Sequence, residues 1–123
     1  MIEIKKITDL NEVQALCDSV GLKCSESTLA ASMVDGEERL GFSVFDLLDG
    51  YAVLRWLAPN DNISLADGML RSSIHIALQN QCASVYFEDT VSETLLEQLG
   101  FVMNREEKRL NTHKLFESCC DCK

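Results

Sequence analysis

Apolar residues recur with two different periods along the chain, and the changes of period predict the order of strands and helices. A short first strand spans Ile2 to Ile7, and apolar positions then follow helical spacing over residues 10–20. Thr8 or Asp9 is suited to cap the N-terminus of this helix, and Gly21 stands where a C-terminal glycine is favoured. The first unit is therefore predicted to be a strand followed by a helix.

The next segment has the period of strands separated by tight turns. It begins at Leu29, turns at Asp35-Gly36, continues over residues 39–48, and turns again at Asp49-Gly50 before a third run over residues 51–57. Three strands joined by short turns pair in sequence order. The pattern predicts a three-stranded antiparallel meander.

The second half of the chain alternates helices and strands. The predicted elements are a helix over 64–80, a strand over 83–87, a helix over 91–99 that Gly100 stops, and closing strands over 101–103 and 109–116. The full order is β-α-β-β-β-α-β-α-β-β, which predicts an α/β fold with a mixed sheet. We expect one domain over residues 1–117 and a short cysteine-rich tail over 118–123.

Composition and charge narrow the function classes. The chain has 123 residues, is 46% hydrophobic and contains one proline, which fits one compact domain with a single core. A net charge of -9 disfavours binding to nucleic acid or to anionic membranes. The absence of a long apolar run leads us to expect a cytoplasmic protein. Acidity would also suit a cationic amine substrate, although solubility is the commoner reason for an acidic surface.

Three motifs carry a resemblance to a known fold. An apolar strand over residues 54–59 leads into a helix whose small and apolar residues follow the pattern G-x-G-x-[AG]-L-L, with an alanine seven residues later: Ser64, Ala66, Gly68, Met69, Leu70 and Ala77. Leu40-Gly41-Phe42 and the run from Leu96 to Phe101 add the two other motifs, in the correct order. The chain resembles the GNAT acyltransferases, the acyl-CoA N-acyltransferase superfamily, and the short first helical region makes it a minimal version.

The resemblance implies a site for acetyl-CoA. Its pyrophosphate would lie on backbone N–H groups at the start of the central helix, where donors are unpaired and the helix dipole is positive. The implied cofactor-binding residues are Leu57 and Ala58 on the strand, which would offer a backbone donor, and Asn62, Ile63, Ser64, Leu65, Ala66, Asp67 and Gly68 on the helix.

This site departs from the family pattern. Asp61 stands where a donor side chain is usual, Ser64 replaces the first glycine, and Asp67 adds a second carboxylate. Two carboxylates near a phosphate would weaken binding by more than about tenfold. Asp61, Asn62, Ser64 and Asp67 also favour a helix that caps its own N-terminus and binds no phosphate.

The catalytic residues implied by the resemblance are also altered. Leu96 stands where the family has the tyrosine that protonates the departing CoA thiolate. Tyr86, a thiol or solvent would have to substitute, although Tyr86 is better explained as a residue of the sheet. Glu88 or Asp89 is a candidate base for the amine, and the alternative is that either one caps the helix near residue 91.

The six cysteines suggest a second, independent chemistry. Cys119 and Cys122 form a C-x-x-C pair in the tail, but a zinc site needs four ligands, which His113, Cys24, Cys82 or a second chain would have to complete. We therefore expect no metal and reduced thiols, with a tail of incidental cysteines as the simplest alternative. Cys17, at a helical core position, is expected to be structural.

Three functions remain open from the sequence. The first is a GNAT-like N-acetyltransferase, attenuated by its altered loop, that moves an acetyl group from acetyl-CoA to a primary amine. The second is a catalytically silent GNAT-like binding or regulatory module. The third is a thiol-responsive or metal-responsive protein acting through its C-terminal cysteines. The resemblance also allows a homodimer formed through an exposed sheet edge.

Overall fold

The computed structural model describes residues 2–112 and has the predicted order of elements. The strands are β1 (Ile2–Ile7), β2 (Thr28–Asp35), β3 (Glu38–Leu47), β4 (Tyr51–Leu57), β5 (Ser84–Phe87), β6 (Val102–Asn104) and β7 (Arg109–Leu110). The helices are α1 (Leu10–Ser19), α2 (Ile63–Gln79) and α3 (Glu93–Leu99).

All the strands of residues 2–112 belong to one mixed sheet. Its order is β1-β2-β3-β4-β5-β7-β6, with β1 to β4 paired antiparallel and β4 paired parallel to β5. The remaining pairs, β5 with β7 and β7 with β6, are antiparallel. The prediction of an α/β fold with a mixed sheet and an antiparallel meander is confirmed.

Local capping explains where the helices begin and end. Asp9 caps α1 by accepting a hydrogen bond from the Asn11 amide at 2.9 Å, which selects Asp9 over Thr8. Gly21, with a φ of 74°, follows the end of α1, and Gly100, with a φ of 78°, ends α3. Ser92 caps α3 through the Leu95 amide, so the alternative that Glu88 or Asp89 caps this helix is wrong.

The buried residues form two clusters, one on each face of the sheet, rather than the single core that composition suggested. Helices α2 and α3 cover the larger cluster, which includes Leu54, Met69 and Phe101. Helix α1 covers the smaller one, which includes Val13 and Val44. A sheet in the middle of the domain separates them because successive strand residues point to opposite faces.

The bounds of the two closing strands differ from those that the sequence predicted. The strand predicted over 101–103 lies at Val102–Asn104, and the carbonyl of the fully buried Phe101 just before it accepts from the Asn111 amide at 2.6 Å. The strand predicted over 109–116 begins at Arg109, but its second half lies outside the described residues. Within residues 2–112, no helix combines the length and apolar character needed to cross a bilayer.

Candidate functional site

A gap opens in the sheet where the two parallel strands separate. β4 and β5 pair from Tyr51 with Ser84 to Leu54 with Phe87, and the Glu88 amide donates to the Leu54 carbonyl at 3.0 Å. β5 ends there, whereas β4 continues to Leu57. Beyond this point Thr90 Oγ1 donates to the Arg55 carbonyl at 2.5 Å, and no strand among residues 2–112 pairs with the rest of β4 on this side, which leaves a gap beside Leu57.

A bulge in β4 sets the direction of the backbone groups at this gap. Phe45 pairs with Leu54 and Val44 pairs with Trp56, so Arg55 is an extra residue in the ladder between β3 and β4. Bulges of this kind redirect the following groups of a strand. Here the bulge lies at the point where β4 leaves β5.

Of the two backbone donors expected on β4, one is already used. The Ala58 amide donates to the Phe42 carbonyl of β3 at 3.0 Å. Because successive amides of an antiparallel strand point to opposite sides, the Leu57 amide points away from β3 and into the gap. Leu57, rather than Ala58, can therefore offer an N–H to a ligand there.

The N-terminus of α2 lies at the end of the loop that follows β4. Asn62 caps it, with its side-chain oxygen accepting from the Leu65 amide at 3.1 Å and its carbonyl accepting from the Ala66 amide at 2.9 Å. The amides of Ile63 and Ser64 have no acceptor among residues 2–112. The helix thus satisfies part of its own N-terminus and leaves two donors available to an anion.

The two acidic residues of this loop have different surroundings. Asp67 forms an ion pair with Arg71 one turn further along α2, at 2.8 Å between Oδ2 and Nε. Arg71 also lies over the Phe101 ring, with its guanidinium carbon 5.2 Å from the ring centroid. Asp61 is exposed in the loop before the helix. The charge of Asp67 is therefore offset locally, and Asp61 is the carboxylate that would oppose a bound phosphate.

The small residues of the motif face the sheet rather than the loop. Ala66 is fully buried in the larger cluster. A Cβ added to Gly68 would lie 3.6 Å from Met33 and 3.9 Å from Ile4, which places this glycine over β1 and β2. Ser64 is the exposed small residue of the set. Ala66 and Gly68 therefore serve helix packing in this chain.

No proton donor stands at the position expected for the general acid. Leu96 is fully buried in α3. Tyr86 lies on the opposite face of the sheet from α2 and α3, where its ring packs edge-on against Tyr51 with centroids 5.9 Å apart. This contact holds Tyr86 toward the start of β4, whereas the gap lies at the end of β4.

The two candidate bases after β5 are both ion-paired. The Glu88 carboxylate accepts from Arg55 Nε at 3.1 Å, and its side chain remains 46% exposed. Asp89 pairs with Lys108. Glu88 is the closer of the two to the gap, because its own amide makes the last hydrogen bond between the parallel strands.

Arg55 organises a polar network that sequence reasoning missed. Its guanidinium donates to the Lys23 carbonyl at 2.6 Å and lies 3.6 Å from Asp46, in addition to its bond with Glu88. Thr28 donates to Asp46 at 2.6 Å. A signal was present in the sequence, since Arg55 is the one charged residue in the apolar strand over 51–57 and such a charge needs partners.

The cysteines proposed as metal ligands do not converge. Cys82 belongs to the larger cluster beneath α2, whereas Cys24 packs against the smaller cluster beneath α1. The sheet separates them, so they cannot complete one site together. Among residues 2–112, no three His, Cys, Asp or Glu side chains form a group able to hold a metal ion. Cys119, Cys122 and His113 lie outside the described residues.

Comparison with known proteins identifies the fold. No protein-family model matches this sequence, and no curated protein matches it at a significant level. Among solved structures, it is similar to an N-acetyltransferase from Staphylococcus aureus Mu50, with a TM-score of 0.55 and 13% identity over 97% of this chain and 80% of that one. It is also similar to a protein from Desulfovibrio desulfuricans that is assigned to the GNAT family of acetyltransferases. That match has a TM-score of 0.50 and 13% sequence identity, and it covers 71% of this chain and 72% of that one.

Proposed function

We propose that this chain, which has the GNAT fold, binds acetyl-CoA in the gap between β4 and β5 and transfers the acetyl group to a primary amine at an attenuated rate. The observation that carries the proposal is the position of the unpaired backbone donors. The Leu57 amide faces the gap, and the amides of Ile63 and Ser64 are available at the start of the helix that follows it.

The chemistry needs few side chains because the thioester is already activated. The amine nitrogen would attack the thioester carbonyl, and the Leu57 N–H would stabilise the negative charge that develops on its oxygen. Glu88, which is ion-paired with Arg55 but about half exposed, is the candidate base closer to the gap and would accept the proton that the amine loses. Leu96 cannot protonate the CoA thiolate, so solvent would supply that proton. Proximity and backbone donors then provide most of the rate, which is why we expect slow turnover.

A second function is favoured by different observations. Leu96 removes the usual acid, Asn62 occupies one helix donor, and Asp61 opposes an anion. These features together suit a GNAT-like module that keeps the fold and binds a partner or ligand without catalysis. The proposal that the tail cysteines sense thiols or metals has no support from residues 2–112.

Calorimetric titration of acetyl-CoA into the reduced protein at low salt separates the first two functions. CoA alone serves as the ligand control, and Asp61→Arg is the diagnostic variant. Replacing the one unpartnered carboxylate near the expected phosphate by a cation should tighten binding by about tenfold or more, because two unit charges a few ångströms apart interact by several kcal/mol before solvent screening.

Glu106→Arg is the matched control, since it makes the same charge change in the exposed turn between β6 and β7. Because charges act over a long range at low salt, both variants are also titrated at about 0.15 M salt, where the Debye length is about 8 Å, and Glu106→Arg should then leave the affinity within about twofold. Binding by the unaltered protein at roughly micromolar concentration would justify an amine screen. If neither the unaltered protein nor Asp61→Arg gives heat at millimolar ligand, the silent-module function replaces the enzyme.

A further inference from the structure

An open groove lies on the sheet face opposite α2 and α3, at the start of the parallel strands β4 and β5. It has a volume of about 470 Å³ and is lined by Tyr51, Ser84, Tyr86 and the turn residues Asp49 and Gly50. The cluster under α1 is built on β1, β2 and β3, so this helix leaves the start of β4 and β5 uncovered. The groove is therefore open to solvent in the part of the chain that the structure describes.

Two tyrosine rings form one wall of the groove. Tyr51 is 40% exposed and Tyr86 is partly buried, and their rings are perpendicular, at 89°, with centroids 5.9 Å apart. In an edge-to-face pair, the ring that presents its edge keeps both of its faces free of its partner. The cation–π contact found within residues 2–112 is that of Arg71 with Phe101, so no described cation covers either tyrosine. The π face of an exposed ring is negative and attracts cations from solvent.

The charged side chains on either side of the tyrosine pair have opposite signs. Asp49, in the turn before β4, is exposed and takes part in no ion pair among residues 2–112. Arg109 lies on β7, beyond β5, and its Nη2 donates to Ser84 Oγ at 3.2 Å. A bound cation would therefore lie on the β4 side of the groove, near Asp49 and Tyr51 and away from Arg109.

We propose that this groove binds a trimethylammonium group. A quaternary ammonium has no N–H to leave unsatisfied, whereas a primary ammonium brings three donors, and the groove offers one carboxylate and few other acceptors. Aromatic faces beside a carboxylate are surroundings that suit quaternary cations. The groove lies at the opposite end of β4 from Leu57, about 20 Å away along the strand. A nitrogen without a proton is also not acetylated, so this inference does not depend on the proposed acetyl transfer.

Two-dimensional NMR of the full chain tests the proposal, with choline chloride as the probe. The controls are sodium chloride at the same ionic strength and the neutral alcohol in which a carbon atom replaces the choline nitrogen. Choline should shift the backbone amides of Gly50, Tyr51 and Ser84 saturably, with a dissociation constant in the millimolar range, because the groove is open to water. The neutral alcohol should bind at least about fivefold more weakly. Equal binding of the two compounds, or no saturable shift up to about 100 mM choline, would overturn the proposal.

Variants of the lining residues separate the contribution of the ring from that of charge. Tyr51→Leu should weaken choline binding by about fivefold, whereas Tyr51→Phe should stay within about twofold because the ring remains. At low salt, Asp49→Asn should weaken binding and Arg109→Gln should tighten it, each by about twofold. Unchanged affinity in Tyr51→Leu, or weaker binding in Arg109→Gln, would contradict a cation held by the rings. The amide spectrum shows whether each variant is folded, and the comparison of choline with its neutral analogue needs no variant.

A short peptide that carries trimethyllysine identifies the source of the trimethylammonium group. If the peptide binds no more tightly than choline, the ligand is a free small molecule. If it binds about tenfold more tightly or better, the ligand is a methylated protein side chain, because the flanking residues then add contacts. Either result retains the trimethylammonium site, and failure of both compounds to bind rejects it.

Discussion

The two faces of the sheet contrast in what they contain. The face under α2 and α3 is an extensive apolar cluster. The face under α1 has a smaller cluster that includes Cys17 and packs against Cys24 and Trp56, and beside it lies the Arg55 network with Asp46 and Glu88. The comparison teaches that one face supplies most of the burial, whereas the other combines a smaller cluster with a largely buried ion-pair network.

Strand β4 contributes to both faces within three residues. Leu54 is buried in the larger cluster, whereas Trp56 packs against the smaller one and stacks on Phe42 with ring centroids 6.3 Å apart. Arg55 lies between them at the bulge. Substitutions along this strand can therefore measure each face separately.

The largest effect is expected for Leu54→Ala. Truncating a side chain that is 1% exposed removes apolar contacts and leaves a cavity, which should lower the free energy of unfolding by about 3 kcal/mol. Val53→Ala is the matched control on the other face of the same strand and should cost about 1 kcal/mol or less, because Val53 is only partly buried. Urea unfolding followed by circular dichroism measures both. If both variants lost the same free energy of unfolding, the cluster under α2 and α3 would not be the main source of stability.

A smaller effect is expected for Arg55→Met on the α1 face. The Arg55 and Asp46 side chains are 14% and 19% exposed, so removing the cation leaves a largely buried carboxylate whose one remaining partner among residues 2–112 is Thr28. We expect a loss of about 2 kcal/mol, below that for a fully buried pair because Glu88 can turn to solvent.

Lys5→Met provides the comparison for Arg55→Met. It removes the cation of an ion pair with Glu3 in which both side chains are more than half exposed, and it should change stability by less than about 0.5 kcal/mol. The same urea titration applies. If Arg55→Met lowers the free energy of unfolding no more than Lys5→Met does, the Arg55 network contributes no more to stability than an exposed ion pair.

The order of elements was predictable because its signals are local. The turn at Asp35-Gly36, the cap at Asp9 and the stop at Gly100 each depend on residues within one turn of the backbone. The departures at Asp61 and Leu96 were also visible in the sequence, since they are single residues read against a spaced motif. Each of these signals depends on residues that are close together in the sequence.

The candidate site was less predictable because its contacts are distant in sequence. Arg55 joins segments near residues 23, 46 and 88, and no local pattern reports such a convergence. The choice of Leu57 over Ala58 as donor depends on the bulge at Arg55, which no glycine or proline marks. Cys17 was correctly expected in the core, but the packing of Cys24 against the same cluster follows from the reversal of the chain after α1.

The smallest effect, and the one of opposite sign, is expected for Gly68→Ala. Gly68 lies inside α2 without a positive φ, where glycine is less favourable than alanine by roughly 1 kcal/mol. The added methyl group would meet Met33 and Ile4 at 3.6 and 3.9 Å, which are ordinary contact distances. The variant should therefore be more stable by about 0.5 kcal/mol.

Gly41→Ala is the control that separates room for a methyl group from helix propensity. Its Cβ would lie 2.3 Å from the Ala58 carbonyl oxygen, so the loop after β4 would have to move. Thermal unfolding should show a higher midpoint for Gly68→Ala and a lower one for Gly41→Ala. Acetyl-CoA affinity should be unchanged in Gly68→Ala, because this glycine faces the sheet and not the free amides of Ile63 and Ser64. A loss of affinity there would mean that Gly68 belongs to the phosphate loop and contacts the ligand together with the amides of Ile63 and Ser64.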